Sequence, residues 1–247
     1  MRKPAAGYLV DGTKARGSLK MYCFENGNGM GEAPGKAGTR AERFFCEALA
    51  DYMYLSGLGV PEPLRQGRQP VLRKGTHGKP YFLEPELDGV FFSSSDTKGY
   101  KVVCFSDSEI GVDCENTEAR PGIDSLYGAV AGRCFTGDEQ EYVALGASGA
   151  LLRFFEVWTA KEAYMKYTGN GFSEGFRSFS VFGLPDVDIA TGRLDGAPHI
   201  VCSVCTERGS VAAQAFEPAP AADRDARSAA ARPVLNRFAP GLLPVWQ

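Results

Sequence analysis

Histidine is nearly missing from this chain: 247 residues contain two, His77 and His199. A structural zinc site needs four ligands, usually as two matched pairs. His199-x-x-Cys202-x-x-Cys205 has no second pair to meet it, and in a strand Cys202 and Cys205 would face opposite sides. Cysteines that pair off are lacking too. The seven, Cys23, Cys46, Cys104, Cys114, Cys134, Cys202 and Cys205, are an odd number scattered through apolar surroundings, which suits reduced, buried thiols. There is no excess of positive charge: 27 Lys and Arg face 30 Asp and Glu, for a net charge of −3. A global basic field for nucleic acid is therefore excluded, and any phosphate-binding surface must be local. No apolar run reaches the length of a spanning helix. The basic start Met1-Arg2-Lys3 is not followed by the apolar stretch of a secretory signal. These absences lead us to expect a cytoplasmic monomer that engages neither membrane nor nucleic acid.

What is present reads as a mixed chain. Tyr8–Val10 and Leu19–Phe24 read as strands, and residues 26–38 as a glycine-rich loop. Residues 40–55 carry helical periodicity, and 60–80, with Pro61, Pro63, Pro70 and Pro80, an extended connection. Val90–Phe92 and Tyr100–Phe105 read as strands. Residues 122–135 and 138–146 read as short helices, and 149–168 as a long one stopped at Thr168-Gly169. Phe176–Phe182 and His199–Thr206 read as strands either side of a turn region. This order of elements predicts an α+β fold rather than a doubly wound sheet. An Ala/Pro-rich tail is expected over 213–247. Phe238, Leu242, Leu243 and Trp246 could dock that tail back onto the body.

Two segments carry chemistry. In Ile110-Gly111-Val112-Asp113-Cys114-Glu115, read as a strand, Asp113 and Glu115 share one face about 7 Å apart. Val112 and Cys114 face the other way, into a core. Paired carboxylates repel unless solvated or bridged by a cation, for which Mg²⁺ is the natural occupant. The second segment, Trp158-Thr159-Ala160-Lys161-Glu162-Ala163-Tyr164-Met165-Lys166, reads as a helix whose apolar arc holds Phe154, Val157, Trp158, Tyr164 and Met165. Lys161 falls inside that arc and Glu162 at its edge. Taken alone, each segment also has a plain structural reading: a solvated strand end, and a Glu162–Lys166 pair at i,i+4.

Together, Gly111-Val112-Asp113-x-Glu115 and Trp158-Thr159-x-Lys161-Glu162-Ala163-x-x-Lys166 resemble the paired signature of the Sfp-type 4′-phosphopantetheinyl transferases. Gly78-Lys79-Pro80 resembles that family's Gly-Lys-Pro turn, and Arg133-x-Phe135-x-x-x-Glu139 its intervening stretch. Arg43 sits where the family places an arginine near the cofactor. The resemblance covers roughly residues 36–180. One departure is clear. The family's Ser-His-Ser segment after the Gly-Lys-Pro turn has no histidine here, so Ser95, Thr97 or Lys98 is left as the phosphate contact.

The resemblance implies a pseudo-dimer of two similar α+β halves, over 1–108 and 109–212, with the cofactor cleft between them. It implies transfer of the 4′-phosphopantetheine arm of coenzyme A to a serine of an apo acyl or peptidyl carrier protein, with Mg²⁺ and release of 3′,5′-ADP. Asp113, Glu115 and Glu162 would hold the Mg²⁺. Lys166 would contact the phosphate and assist the leaving group, and Glu139, or Glu162 itself, would be the base. Lys161 would touch the phosphates or the pantetheine end. Lys79 and Arg43 would hold the 3′-phosphate and adenine side. Two other readings stay open: a degenerate paralogue that binds carrier protein or nucleotide without catalysis, and an unrelated Mg²⁺-dependent phosphohydrolase.

Overall fold

The computed structural model describes residues 19–25, 40–118, 123–145, 148–170, 175–194 and 197–209. The expected strand at Tyr8–Val10, the glycine-rich loop at 26–38 and the tail from 213 lie outside the described residues. In chain order the elements are β1 (Leu19–Glu25), α1 (Arg40–Leu55), a single turn α2 (Glu62–Arg65), β2 (Leu72–Lys74), β3 (Pro80–Phe82), β4 (Phe91–Thr97), β5 (Tyr100–Ser106) and β6 (Ile110–Asn116). Then follow α3 (Ile123–Cys134), α4 (Gly137–Ala144), α5 (Ala150–Thr168), β7 (Val187–Leu194) and β8 (Ala197–Glu207). The class is α+β.

Two three-stranded antiparallel sheets stand at the centre, ordered β1-β5-β4 and β6-β8-β7. Each is built by a strand, a helical excursion, and a hairpin whose last strand inserts between the other two. The inward faces pack on each other: Leu19, Met21, Cys23, Val102 and Cys104 from the first meet Val112, Cys114, Ala190, Ile200, Cys202 and Val204 from the second. The outer face of the first sheet buries Tyr22, Phe24, Val103 and Phe105 against Phe44, Leu49, Tyr52 and Met53 of α1. Helix α5 covers the second sheet, with Ala163 against Cys205 and Val187. Cys202 and Cys205 do face opposite sides, one in the inter-sheet core and one under α5. All seven cysteines are free, six of them buried.

The two sheets also meet edge to edge. Along β4, Ser93, Ser95 and Thr97 present alternate side chains to β6. The Val112 N–H donates to Ser93 Oγ (3.0 Å), and the Asn116 N–H donates to Thr97 Oγ1 (3.0 Å). Side-chain hydroxyls thus satisfy the open edge of β6 that no ladder covers.

Three sequence expectations change. Residues 176–182 are not a strand but a short 3-10 turn (Phe176–Ser178) and a loop. Their backbone is satisfied by side chains: Lys161 Nζ donates to the Phe176 and Phe179 carbonyls, and the Val181 N–H donates to Glu139 Oε1. The turn region before His199 instead contains β7. Its alternation of Val187, Ile189 and Thr191 was hidden by the turn residues Pro185-Asp186 and Gly192 around it. The stretch 60–80, expected to be merely extended, holds α2 and the β2–β3 hairpin.

Candidate active site

The site grows from β6 and α5. In β6 the even residues Val112 and Cys114 turn into the inter-sheet core, so Gly111, Asp113 and Glu115 face α5. Gly111 is what lets the helix come close. A Cβ built there would overlap the Ala163 carbonyl oxygen and lie 2.5 Å from the Tyr167 nitrogen. Helix α5 is fixed in rotation by a buried hydroxyl relay. Thr191 Oγ1 lies 2.6 Å from Ser203 Oγ, Ser203 Oγ lies 2.7 Å from Thr159 Oγ1, and Thr159 Oγ1 donates to the Phe155 carbonyl (2.8 Å). Trp158 is a packing residue, stacked on Phe154 and on Phe176 at 5.2 Å between ring centres.

So oriented, α5 brings Lys166 and Glu162 over the β6 carboxylates. Lys166 Nζ pairs with Asp113 Oδ1 at 2.8 Å and donates to the Ser94 carbonyl at 3.3 Å. Ser95 Oγ donates to the same Asp113 oxygen at 2.7 Å. Asp113 is buried, and its Oδ2 has no hydrogen-bond partner. Burial pushes the Asp113 carboxyl up, while Lys166 and Ser95 pull it back down. Burial, then Asp113, raises Glu162 to about 7; Lys166 opposes this and Glu115 adds to it. Thr97 Oγ1 donates to Glu115 at 3.4 Å. Asp113, Glu115, Glu162 and Lys166 therefore form one electrostatic group.

A cleft of about 280 Å³ opens beside this group. Its walls come from the β2–β3 turn (His77, Gly78, Lys79, Pro80), from β4 (Phe92, Ser93, Ser94) and from α5 (Glu162, Met165, Lys166, Gly169). Lys79 Nζ donates to Glu109 and to the Tyr167 carbonyl (2.8 Å).

Several expected site residues sit elsewhere. Lys161 is fully buried: it pairs with Glu139 at 2.9 Å and donates to two carbonyls at 2.7 and 2.6 Å. Its three protons have three acceptors inside the fold, and it does not line the cleft, where contact with the phosphates or the pantetheine end is expected. Glu139, equally buried, closes the capping box of α4 by accepting the Thr136 N–H (2.8 Å), and also accepts the Val181 N–H (2.9 Å). None of these bonds leads to the cleft. Ser95 and Thr97 point their hydroxyls at Asp113 and Glu115 rather than into the cleft. Lys98 lies exposed beyond the end of β4, and Arg43 is exposed on α1; neither lines the cleft. His77, which the motif reading passed over, does line it.

The match to known proteins falls on this region. The family model described as the 4′-phosphopantetheinyl transferase superfamily matches residues 109–215, from the residue before β6 to past the end of β8. This segment is similar to that superfamily. The chain is 31% identical over 150 residues to the 4′-phosphopantetheinyl transferase psf-1 of Bacillus pumilus, an overlap of 55% of this chain and 60% of the relative. It is 32% identical over 148 residues to a phosphopantetheinyl transferase of a Thraustochytrium species, covering 56% and 51%. The chain spans about half the length of the curated relatives it matches. Among the described residues no helix is long and apolar enough to cross a membrane.

Proposed function

We propose that this protein transfers the 4′-phosphopantetheine arm of coenzyme A to a serine of an apo acyl or peptidyl carrier protein, with Mg²⁺, releasing 3′,5′-ADP. The observation that carries the reading is the cleft of about 280 Å³ with Glu162 and Lys166 in its wall and Asp113 behind them. It lies where 77–80 and 92–94 of the first half face α5 of the second. The matching strand orders, β1-β5-β4 and β6-β8-β7, support a pseudo-dimer of halves 1–108 and 109–212 with the cofactor between them.

The donor set fits a hard divalent ion. Asp113 Oδ2 is buried without a partner, and the carboxylate group around it is electrostatically compressed. Among the described residues no three His, Cys, Asp or Glu side chains form a ready-made metal cage. Mg²⁺ is usually held by one or two carboxylates together with water and substrate phosphate. Asp113 and Glu115, with Glu162 beside them, would hold it, and the ion would neutralise pyrophosphate charge.

The chain's own groups do the rest. A serine hydroxyl is a weak nucleophile until its proton has an acceptor. Glu162, in the wall of the cleft, is placed to accept that proton. Glu139 is not, because Lys161, the Thr136 N–H and the Val181 N–H already hold its carboxylate. Lys166, partly exposed beside the cleft, places an ammonium where charge develops on the departing phosphate. Ser95 holds Asp113 in place. The test is to incubate the protein with coenzyme A, Mg²⁺ and an apo carrier domain and weigh the carrier. A phosphopantetheine adduct is expected. Carrier binding without mass gain, or coenzyme A hydrolysis without carrier, would each replace the reading.

A further inference from the structure

We propose that Thr97 is a positioning residue of the ion site: its hydroxyl, reaching across from β4, holds the Glu115 carboxylate of β6 in the direction from which it meets a divalent ion. The inference rests on the function proposed above. It moves Thr97 from the phosphate contacts to the support of a metal ligand.

Strands β4 and β6 belong to different sheets, and side chains join them. Ser95 Oγ meets Asp113 and Thr97 Oγ1 meets Glu115, each eighteen residues on. The constant offset means that the two strands run in the same direction and in step. Hydroxyls two residues apart on β4 therefore face carboxylates two residues apart on β6. Asp113 is already fixed, by burial and by Ser95 and Lys166 on one oxygen. Glu115 is longer and only half-buried, and its rotamers must be ordered, at an entropic cost, before it can hold an ion.

Thr97 has the chemistry and the rigidity for this. A threonine hydroxyl has one proton and two lone pairs. The Asn116 N–H takes a lone pair at 3.0 Å. A carboxylate can only accept, so the one proton goes to Glu115. At 3.4 Å this contact is longer than an ordinary O–H···O bond, so it aims the carboxylate without competing strongly with a cation for it. Branching at Cβ stiffens the side chain. The backbone is anchored as well: Thr97 pairs with Tyr100 across the β4–β5 turn, where Gly99 takes a φ of +87°, and Asn116 Nδ2 donates to the Lys98 carbonyl at 3.3 Å. Direction matters here because Glu115 shares its site with Asp113 and Glu162, and an unguided carboxylate turns away from like charge. Thr97 does not line the cleft, so the phosphate contacts stay with Lys79 and Lys166, which do.

The test uses Mn²⁺ as the probe, its unbound fraction read by electron paramagnetic resonance with the full chain and coenzyme A present. Thr97→Val should weaken Mn²⁺ binding about tenfold, the usual effect of removing a partner that orients a metal ligand. Thr97→Ala should do the same, and Thr97→Ser should stay near the wild type. In a Glu115→Gln background Thr97→Val should add nothing. Coenzyme A affinity measured in a chelator should not change. Ser93→Ala removes a rung that meets the Val112 N–H rather than a carboxylate, and it should leave Mn²⁺ affinity as it was. In the transfer assay the Mg²⁺ needed for half-maximal rate should rise about tenfold in Thr97→Val, with kcat recovered at saturating Mg²⁺. Unchanged Mn²⁺ affinity in both hydroxyl-free variants, a full effect in the Glu115→Gln background, an equal loss in Ser93→Ala, or weakened coenzyme A binding in the chelator overturns this inference and leaves the proposed function standing. A wild type that binds no Mn²⁺ with coenzyme A overturns both. The expected Mn²⁺ pattern without transfer to a carrier domain overturns the proposed function alone.

Discussion

Glu162→Gln should change how the stability of the metal-free protein depends on pH. Folded Glu162 is pushed from an ordinary 4.5 up to about 7, by burial first and by its carboxylate neighbours next. Between those two values the native state holds a proton that the unfolded chain has released. Stability therefore falls as pH rises through that window, and the loss is complete above pH 7. A shift of this size corresponds to about 3 kcal/mol, less what water at the cleft mouth screens. Glutamine mimics the protonated acid. The variant should match the wild type near pH 4.5 and exceed it by up to that amount at pH 8. Urea denaturation at several pH values in the presence of a chelator reads the difference, which removes contributions common to both proteins. Added Mg²⁺ at pH 8 should then stabilise the wild type more than the variant. A wild-type-to-variant difference that stays constant from pH 4.5 to 8 would refute the compressed carboxylate group.

Gly111→Ala should lower stability by about 3 kcal/mol or more, because the new methyl meets α5 backbone rather than a movable side chain; chemical denaturation checks it. Lys161→Met should cost about 3–5 kcal/mol by leaving Glu139 charged and buried. The double change Lys161→Met with Glu139→Gln should recover part of that, and a double-mutant cycle without coupling would contradict the pairing. Glu139→Gln should reduce stability while folded molecules keep a kcat within about tenfold of wild type, well short of the loss expected for a general base.

Much of the fold could be read from the letters because its helices are long and its first hairpin alternates cleanly. Helices at 40–55 and 149–168 show 3.6-residue periodicity, and the pair β4–β5 is bounded by a polar turn. β7 is hard to read in the letters because Gly192 and the flanking turn residues break a short alternation. Residues 176–182 looked like a strand because their aromatic spacing fits one, but their backbone partners are the side chains of Lys161 and Glu139, far away in sequence. The candidate site divides the same way. Asp113, Glu115, Glu162 and Lys166 are brought together because a period-2 strand and a helix can be superposed on paper. Lys161 and Glu139 carry the same letters as chemical residues, and only burial distinguishes them. The lysine lies within the helix's apolar arc, which was the available sign. His77 carried no pattern, since its place in the cleft comes from a turn facing a helix some ninety residues on.

The central claim is that the compressed carboxylate group beside the cleft serves phosphopantetheine transfer. The most direct measurement is the intact mass of an apo carrier domain after incubation with coenzyme A, Mg²⁺ and either the wild type or Asp113→Asn. Asparagine keeps the size of the side chain and a bond to Ser95, so the fold should persist. The account predicts a phosphopantetheine adduct with the wild type, none without Mg²⁺, and at least a hundredfold slower formation with Asp113→Asn. An adduct formed equally fast by Asp113→Asn, or in the absence of a divalent ion, would contradict it.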